Sequence, residues 1–210
     1  MITAITPQTA PNQRDERRQR IVAVASALFI KQGFAGTTMS QVAAEAGGSK
    51  TTLWSYFPDK NALFMAVADD LIERYFAPIE RYLETADDLA ADLLVIARTL
   101  LDAAMSAEIS GLMRIATAEA RRFDALGEMF DTRGLGHGWR VIGSYLERSR
   151  QAGQLVADCD TAMAARQFIG LCQAHWVQRV MLTGVPTPAR DVLDEDAHAA
   201  VATFLRAFAR

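Results

Sequence analysis

Thr38-Met39-Ser40-Gln41-Val42-Ala43-Ala44-Glu45-Ala46-Gly47-Gly48-Ser49-Lys50-Thr51-Thr52-Leu53-Trp54-Ser55-Tyr56-Phe57-Pro58-Asp59 is the stretch whose reading decides the fold. Thr38 and Gln41 have the spacing of a capping box, in which the hydroxyl accepts from the third helical amide and the Gln side chain reaches back. Met39, Val42, Ala43 and Ala46 then form one apolar face, and Gly47-Gly48 ends the helix after two turns. Ser49 caps a second short helix with Leu53, Tyr56 and Phe57 facing inward. Pro58-Asp59 stops it, and Asp59 caps a longer helix beginning at Lys60. Upstream, Ile21, Val22, Ala25, Leu28 and Phe29 recur at helical spacing until Gly33. Two short helices joined by a glycine turn and backed by a third make a helix-turn-helix. Ala43 is small where the helices cross, Gly47 supplies the freedom of the turn, and Val42, Ala46 and Leu53 fill the space between.

Such a unit holds its second helix outward, where it can enter a major groove. Lys50, Thr51, Thr52, Trp54 and Ser55 are expected on that helix's exposed side, with Lys and Thr suited to base edges. Thr38, Tyr56 and Lys60 are placed to fix register on phosphates. Arg14, Arg17 and Arg18 are expected to add contacts from a flexible arm. The charge distribution agrees. Residues 1 to 61 hold seven Lys and Arg against four acids, whereas the rest holds 15 Arg against 21 acids within a net charge of -3. A small basic module on a larger acidic body fits a nucleic-acid partner better than the net charge alone implies.

Of 210 residues, 50% are hydrophobic and 22% charged, which excludes whole-chain disorder. Two cysteines, Cys159 and Cys172, rule out a disulfide framework and favour a reducing compartment. The first residues do not read as a signal peptide, and no apolar run approaches a membrane span. The expected location is the cytoplasm.

Gly33 through Gly47 and Ser49 through Lys60 together resemble the DNA-binding domain of the TetR family of transcriptional regulators, over roughly residues 15 to 66. Two positions depart from the family pattern. Gly48 stands where an apolar residue is usual, and Trp54 replaces a usual tyrosine. The resemblance implies an all-α chain with a three-helix DNA-binding domain and a larger helical ligand-binding and dimerisation domain. It implies a repressor that binds a pseudo-palindromic operator as a homodimer and is released by a small molecule, with Thr38, Ser49, Lys50, Thr51, Thr52, Trp54, Ser55, Tyr56 and Lys60 contacting the operator. Leu112-Met113-Arg114-Ile115-Ala116, Glu119 to Phe123 and Gln167 to Leu171 are similar to the AefR-like subgroup. The expected organisation is a flexible tail over 1–13, the DNA-binding domain over 14–61 and the second domain over 62–210.

Beyond residue 60 the periodicity predicts helices at about 60–84, 87–106, 108–122, 124–133, 137–152, 160–183 and 192–209. Pro78 is expected to kink or end the first, Gly134 to Gly138 to connect two helices, and Gly184 to Pro188 to form a stiff connector. Met105, Leu112, Met113, Ala116, Trp139, Ile142, Phe168 and His175 are candidate ligand contacts, with ordinary core as the alternative for each. Gly170, Leu171, Val201, Phe204, Leu205 and Phe208 are candidates for a dimer interface of two helices from each subunit. His137, His175 and His198 have no metal-ligand spacing, and no cofactor or enzymatic motif is present. A helical protein-interaction module that no longer reads DNA is the alternative, kept open by Gly48.

Overall fold

A computed structural model describes residues 13–121, 124–183 and 187–210; residues 1–12 of the expected tail and 184–186 of the expected connector lie outside these. Its elements are α1 (Gln13–Gly36), α2 (Met39–Glu45), α3 (Lys50–Tyr56), α4 (Lys60–Leu83), α5 (Leu89–Met105), α6 (Ala107–Glu119) and α7 (Asp124–Met129). A π-helical segment (Phe130–Leu135) follows, then α8 (Gly136–Gln151), α9 (Thr161–Gln173), α10 (Trp176–Thr183) and α11 (Arg190–Phe208). Among the described residues every named element is helical, and none is long and apolar enough to cross a membrane. The chain divides into two compact units, up to Val67 and from Ala68 onward.

In the first unit, Ile21, Val22, Ala25 and Phe29 of α1 are buried, as are Val42, Ala43 and Leu53 of the short helices, with α1 packed on α2 and α2 on α3. Gly33 interrupts α1 at φ 77, a backbone region closed to most L-residues. The interruption lets Phe34 fold back onto Phe29 and Phe64, with ring centroids 5.7 and 5.3 Å away. Asp59 caps α4, its Oδ1 accepting from the Ala62 amide at 2.8 Å.

The second unit is built on α5, whose Leu93, Ile96, Ala97 and Leu101 are all buried. Asp88 starts this helix by accepting from the Ala90 and Ala91 amides, and Asp160 starts α9 by accepting from Met163. Ile142, Leu146, Phe168, Ala197 and Phe204 complete the core from α8, α9 and α11. One carboxylate lies inside it. Asp92 is 3% exposed and accepts 2.7 Å hydrogen bonds from the hydroxyls of Tyr82 and Tyr145. Buried carboxylates persist where such donors satisfy them.

Three expectations need correction. The helix expected over 160–183 is broken at Ala174-His175 into α9 and α10. Just past the break the Trp176 indole N–H donates to Asp196 of α11 at 2.6 Å, a tertiary anchor with no local signal. Gly134 to Gly138 is not a connector: it completes the π segment and enters α8. The glycines there answer close approach. A Cβ at Gly136 would collide with the Asp131 carbonyl, and one at Gly138 would lie 2.7 Å from the Phe76 ring. Pro78 does not end α4, which runs on to Leu83.

Candidate nucleic-acid interface

Both capping devices of the helix-turn-helix are formed. Thr38 Oγ1 accepts from the Gln41 amide at 3.3 Å, and Gln41 Oε1 accepts from the Thr38 amide at 2.9 Å. Ser49 Oγ accepts from the Thr52 amide at 3.0 Å and lies 2.8 Å from the Thr52 hydroxyl. Gly47 occupies the turn with φ 72. On α3, Leu53 and Phe57 at its end face the interior, while Lys50, Thr51, Trp54 and Ser55 are exposed and Thr52 and Tyr56 half-buried. Trp54 is 53% exposed, an unusual placement for a residue with so much apolar area to bury. One face of a short, doubly anchored helix therefore offers an ammonium, hydroxyls and an indole to solvent.

Arg14, Arg17 and Arg18 do not form an arm. They lie on the first turns of α1 and pack onto the end of the helix-turn-helix. The Arg14 and Arg18 guanidinium groups stand over the Tyr56 and Phe57 rings at 5.8 and 5.4 Å. Arg17 Nη2 donates to the Gly47 carbonyl at 2.7 Å, and that guanidinium fills the space a Cβ at Gly48 would need. Gly48 thus has a packing reason, because the turn is covered by Arg17 instead of by its own side chain.

Lys60 is placed differently from the expectation of a plain phosphate contact. Its Nζ donates to the carbonyls of Phe34 and Thr37 at 2.9 and 3.1 Å and stands 4.4 Å from the Phe34 ring centroid. Two of the three ammonium donors thus close the connector between α1 and α2.

The second unit contains a cavity of about 130 Å³, with walls from α4, α5, α6, the π segment and α8 to α10. Leu112 and Met113, both expected at a ligand, line it. Met105, Ala116, Ile142 and Phe168 are buried core instead, and none of them is among the lining residues. Trp139 lines a separate surface cleft, and His175 is exposed with its ring 4.6 Å from that of Trp176. Tyr75, Phe76, Phe130 and Gln173, which the sequence did not single out, also line the cavity. Gly134 and Gly138 line it as well.

Of the residues expected at a dimer interface, Val201 and Phe204 are buried within the unit. Gly170 and Leu171 are exposed, and Leu205 and Phe208 half-buried. A Cβ at Gly170 would meet nothing within 4 Å. Gly170, Leu171, Ala174, Phe204, Ala207 and Phe208 line a shallow apolar groove along α9 and α11.

Residues 21–67 match the family described as bacterial regulatory proteins, tetR family, and residues 91–210 match the AefR-like transcriptional repressor C-terminal domain. The chain belongs to the TetR family of transcriptional regulators. Members of this family bind operator DNA and small-molecule effectors and act as dimers. The nucleoid occlusion factor SlmA of Pasteurella multocida is 28% identical over 172 residues, covering 79% of this chain and 83% of SlmA. The HTH-type transcriptional regulator RutR of Escherichia coli is 39% identical over 75 residues, covering 36% of this chain and only 35% of RutR. A TetR-family regulator from Mesorhizobium loti superposes with a TM-score of 0.89 at 27% identity, covering 95% of this chain and 100% of that one. The flavonoid-responsive regulator FrrA superposes with a TM-score of 0.72 at 29% identity, covering 92% and 97%. Within this TetR-family chain, the partner of Arg17 is a backbone carbonyl 30 positions away, which local sequence does not reveal.

Proposed function

We propose that this chain is a repressor that reads a pseudo-palindromic operator as a homodimer and is released when a small molecule occupies the second unit. The observation that carries the reading is the exposed Lys50-Thr51-Trp54-Ser55 face, on a helix capped by Ser49 and clamped at its turn by Arg17. Lys50, Thr51, Trp54 and Ser55 meet base edges, while Thr38, Ser49, Thr52 and Tyr56 set register on phosphates. Two copies are required, because half-sites recur about 34 Å apart, one turn of the duplex. The apolar groove of α9 and α11 is the surface that joins them, with Gly170 admitting a close helix. Release follows from occupancy of the cavity, which α4 lines through Ile72, Tyr75 and Phe76. The same helix begins at Lys60, which grips the α1–α2 connector.

The test is operator binding by the wild-type and Lys50→Ala chains, measured as a function of salt. Lys50→Ala weakens binding and changes which base is preferred at one position, by about 1–3 kcal/mol of discrimination. Binding that is independent of salt, or unchanged by Lys50→Ala, contradicts the reading and favours the protein-interaction alternative.

A further inference from the structure

The cavity of the second unit has a chemistry that restricts what enters it. Among the described residues, none that lines it is charged. Ile72, Phe76, Leu100, Leu112, Phe130 and Val180 supply apolar walls, and the polar groups are few. The Ser110 hydroxyl is directed to the Ala107 carbonyl at 3.5 Å, and the Tyr75 hydroxyl to the Thr99 carbonyl at 3.4 Å. Both separations exceed the usual range for O–H···O bonds. Gln173, half-buried in the wall, has no hydrogen-bond partner among the described residues. An amide carries two donors and an acceptor, so this side chain keeps the capacity to pair with a polar group of a ligand. The volume, about 130 Å³, is close to that of apolar cavities that hold benzene (about 150 Å³).

We infer that the ligand of this cavity is a small uncharged molecule, one aromatic ring or a short aliphatic chain in size, with a single polar group held by Gln173 and Tyr75. An anion is rejected because a carboxylate or phosphate would lose its hydration with no cation among the described lining residues to replace it. A sugar is rejected because its hydroxyls outnumber the three polar side chains. The inference rests on the proposed ligand-binding role of the second unit, and occupancy is measured without DNA so that the two stand or fall separately.

The probes are p-cresol, toluene and 4-methylbenzoate, which share a ring and differ in its substituent, added to the full chain at pH 7. Binding is read by calorimetry and by the shift in unfolding temperature, since a ligand of the folded state raises it. The expected result is binding of p-cresol and toluene and none of 4-methylbenzoate. Gln173→Leu weakens p-cresol about fivefold to tenfold, the equivalent of one ordinary hydrogen bond, and leaves toluene within about twofold by the same reasoning. Ala104→Leu, which fills the cavity, abolishes both; should that variant not fold, Gln173→Leu carries the test alone. Equal binding of 4-methylbenzoate and p-cresol overturns the inference. So does binding by none of the three, or equal weakening of p-cresol and toluene by Gln173→Leu. Operator affinity with and without bound p-cresol is a separate readout: no change there counts against the release mechanism and leaves the ligand class standing.

Discussion

Replacing Lys60 by Met keeps the length and packing of the side chain and removes the ammonium. The structure assigns three losses to that change: the donations to Phe34 and Thr37 carbonyls at 2.9 and 3.1 Å, and the cation 4.4 Å from the Phe34 ring. A hydrogen bond from a charged donor contributes about 1.5–3 kcal/mol. Lys60 is half-buried, so water can partly replace it at each carbonyl, and about 1 kcal/mol per bond is the appropriate share. The cation over the ring adds about 0.5–1 kcal/mol. The sum, about 2.5–3 kcal/mol, is large beside a domain's total of about 5–15 kcal/mol. Hydrogen exchange of the α1 to α3 amides measures it directly: their opening free energy falls by that amount. Salt dependence of DNA binding separates the brace from a phosphate contact. Losing one phosphate contact lowers the slope of log affinity on log salt by about 0.9, whereas losing a brace leaves it unchanged. A slope lowered by about 0.9 with unchanged exchange refutes the assignment of Lys60 as a brace.

Other perturbations test the remaining elements. Gly48→Val drives its side chain onto the Arg17 guanidinium and breaks the bond to the Gly47 carbonyl. At this exposed site the cost is about 0.5–1 kcal/mol, and denaturant titration shows it disappearing in an Arg17→Ala background, a coupling of that size. Gly138→Ala places a methyl 2.7 Å from the Phe76 ring and destabilises the second unit by about 1–3 kcal/mol in urea unfolding. Tyr145→Phe leaves one oxygen of the buried Asp92 without its donor and costs about 2–3 kcal/mol by the same measurement. The hydrogen bond to Asp92 lifts the Tyr82 hydroxyl from 10.0 to about 12. The folded chain therefore holds a proton that the unfolded chain has released. Its stabilising contribution is complete below pH 10 and is lost as pH rises towards about 12, which Tyr82→Phe abolishes in unfolding curves across that range.

What the sequence made legible was local. Thr38 with Gln41, Ser49, Asp59 and Gly47 mark helix ends through contacts within three residues, and each has the expected geometry. Hydrophobic spacing placed the long helices within a few residues because burial of one face imposes it. The failures are tertiary. Nothing near Ala174 announces a break whose anchor, Asp196, is 20 residues beyond Trp176. Glycines at 134, 136 and 138 read as a connector because the Phe76 ring and the Asp131 carbonyl they accommodate are invisible to periodicity. The helical spacing of apolar residues around Ile142 and around Phe168 signals burial, but a buried side chain facing core and one facing a cavity look alike in one dimension. The sequence suggests Arg17 for a flexible arm and Lys60 for a phosphate contact, and it does not show that both also bind backbone carbonyls, which carry no side-chain identity.

The central claim is that the exposed face of α3 reads a specific sequence as one half of a dimer. Selection of bound fragments from sheared genomic DNA by the purified protein at moderate salt, followed by sequencing, tests it most directly. The account predicts a recovered pseudo-palindrome with half-sites about 34 Å apart, one turn of the duplex or a multiple of it. Recovery of fragments with no shared sequence by correctly folded protein would contradict it.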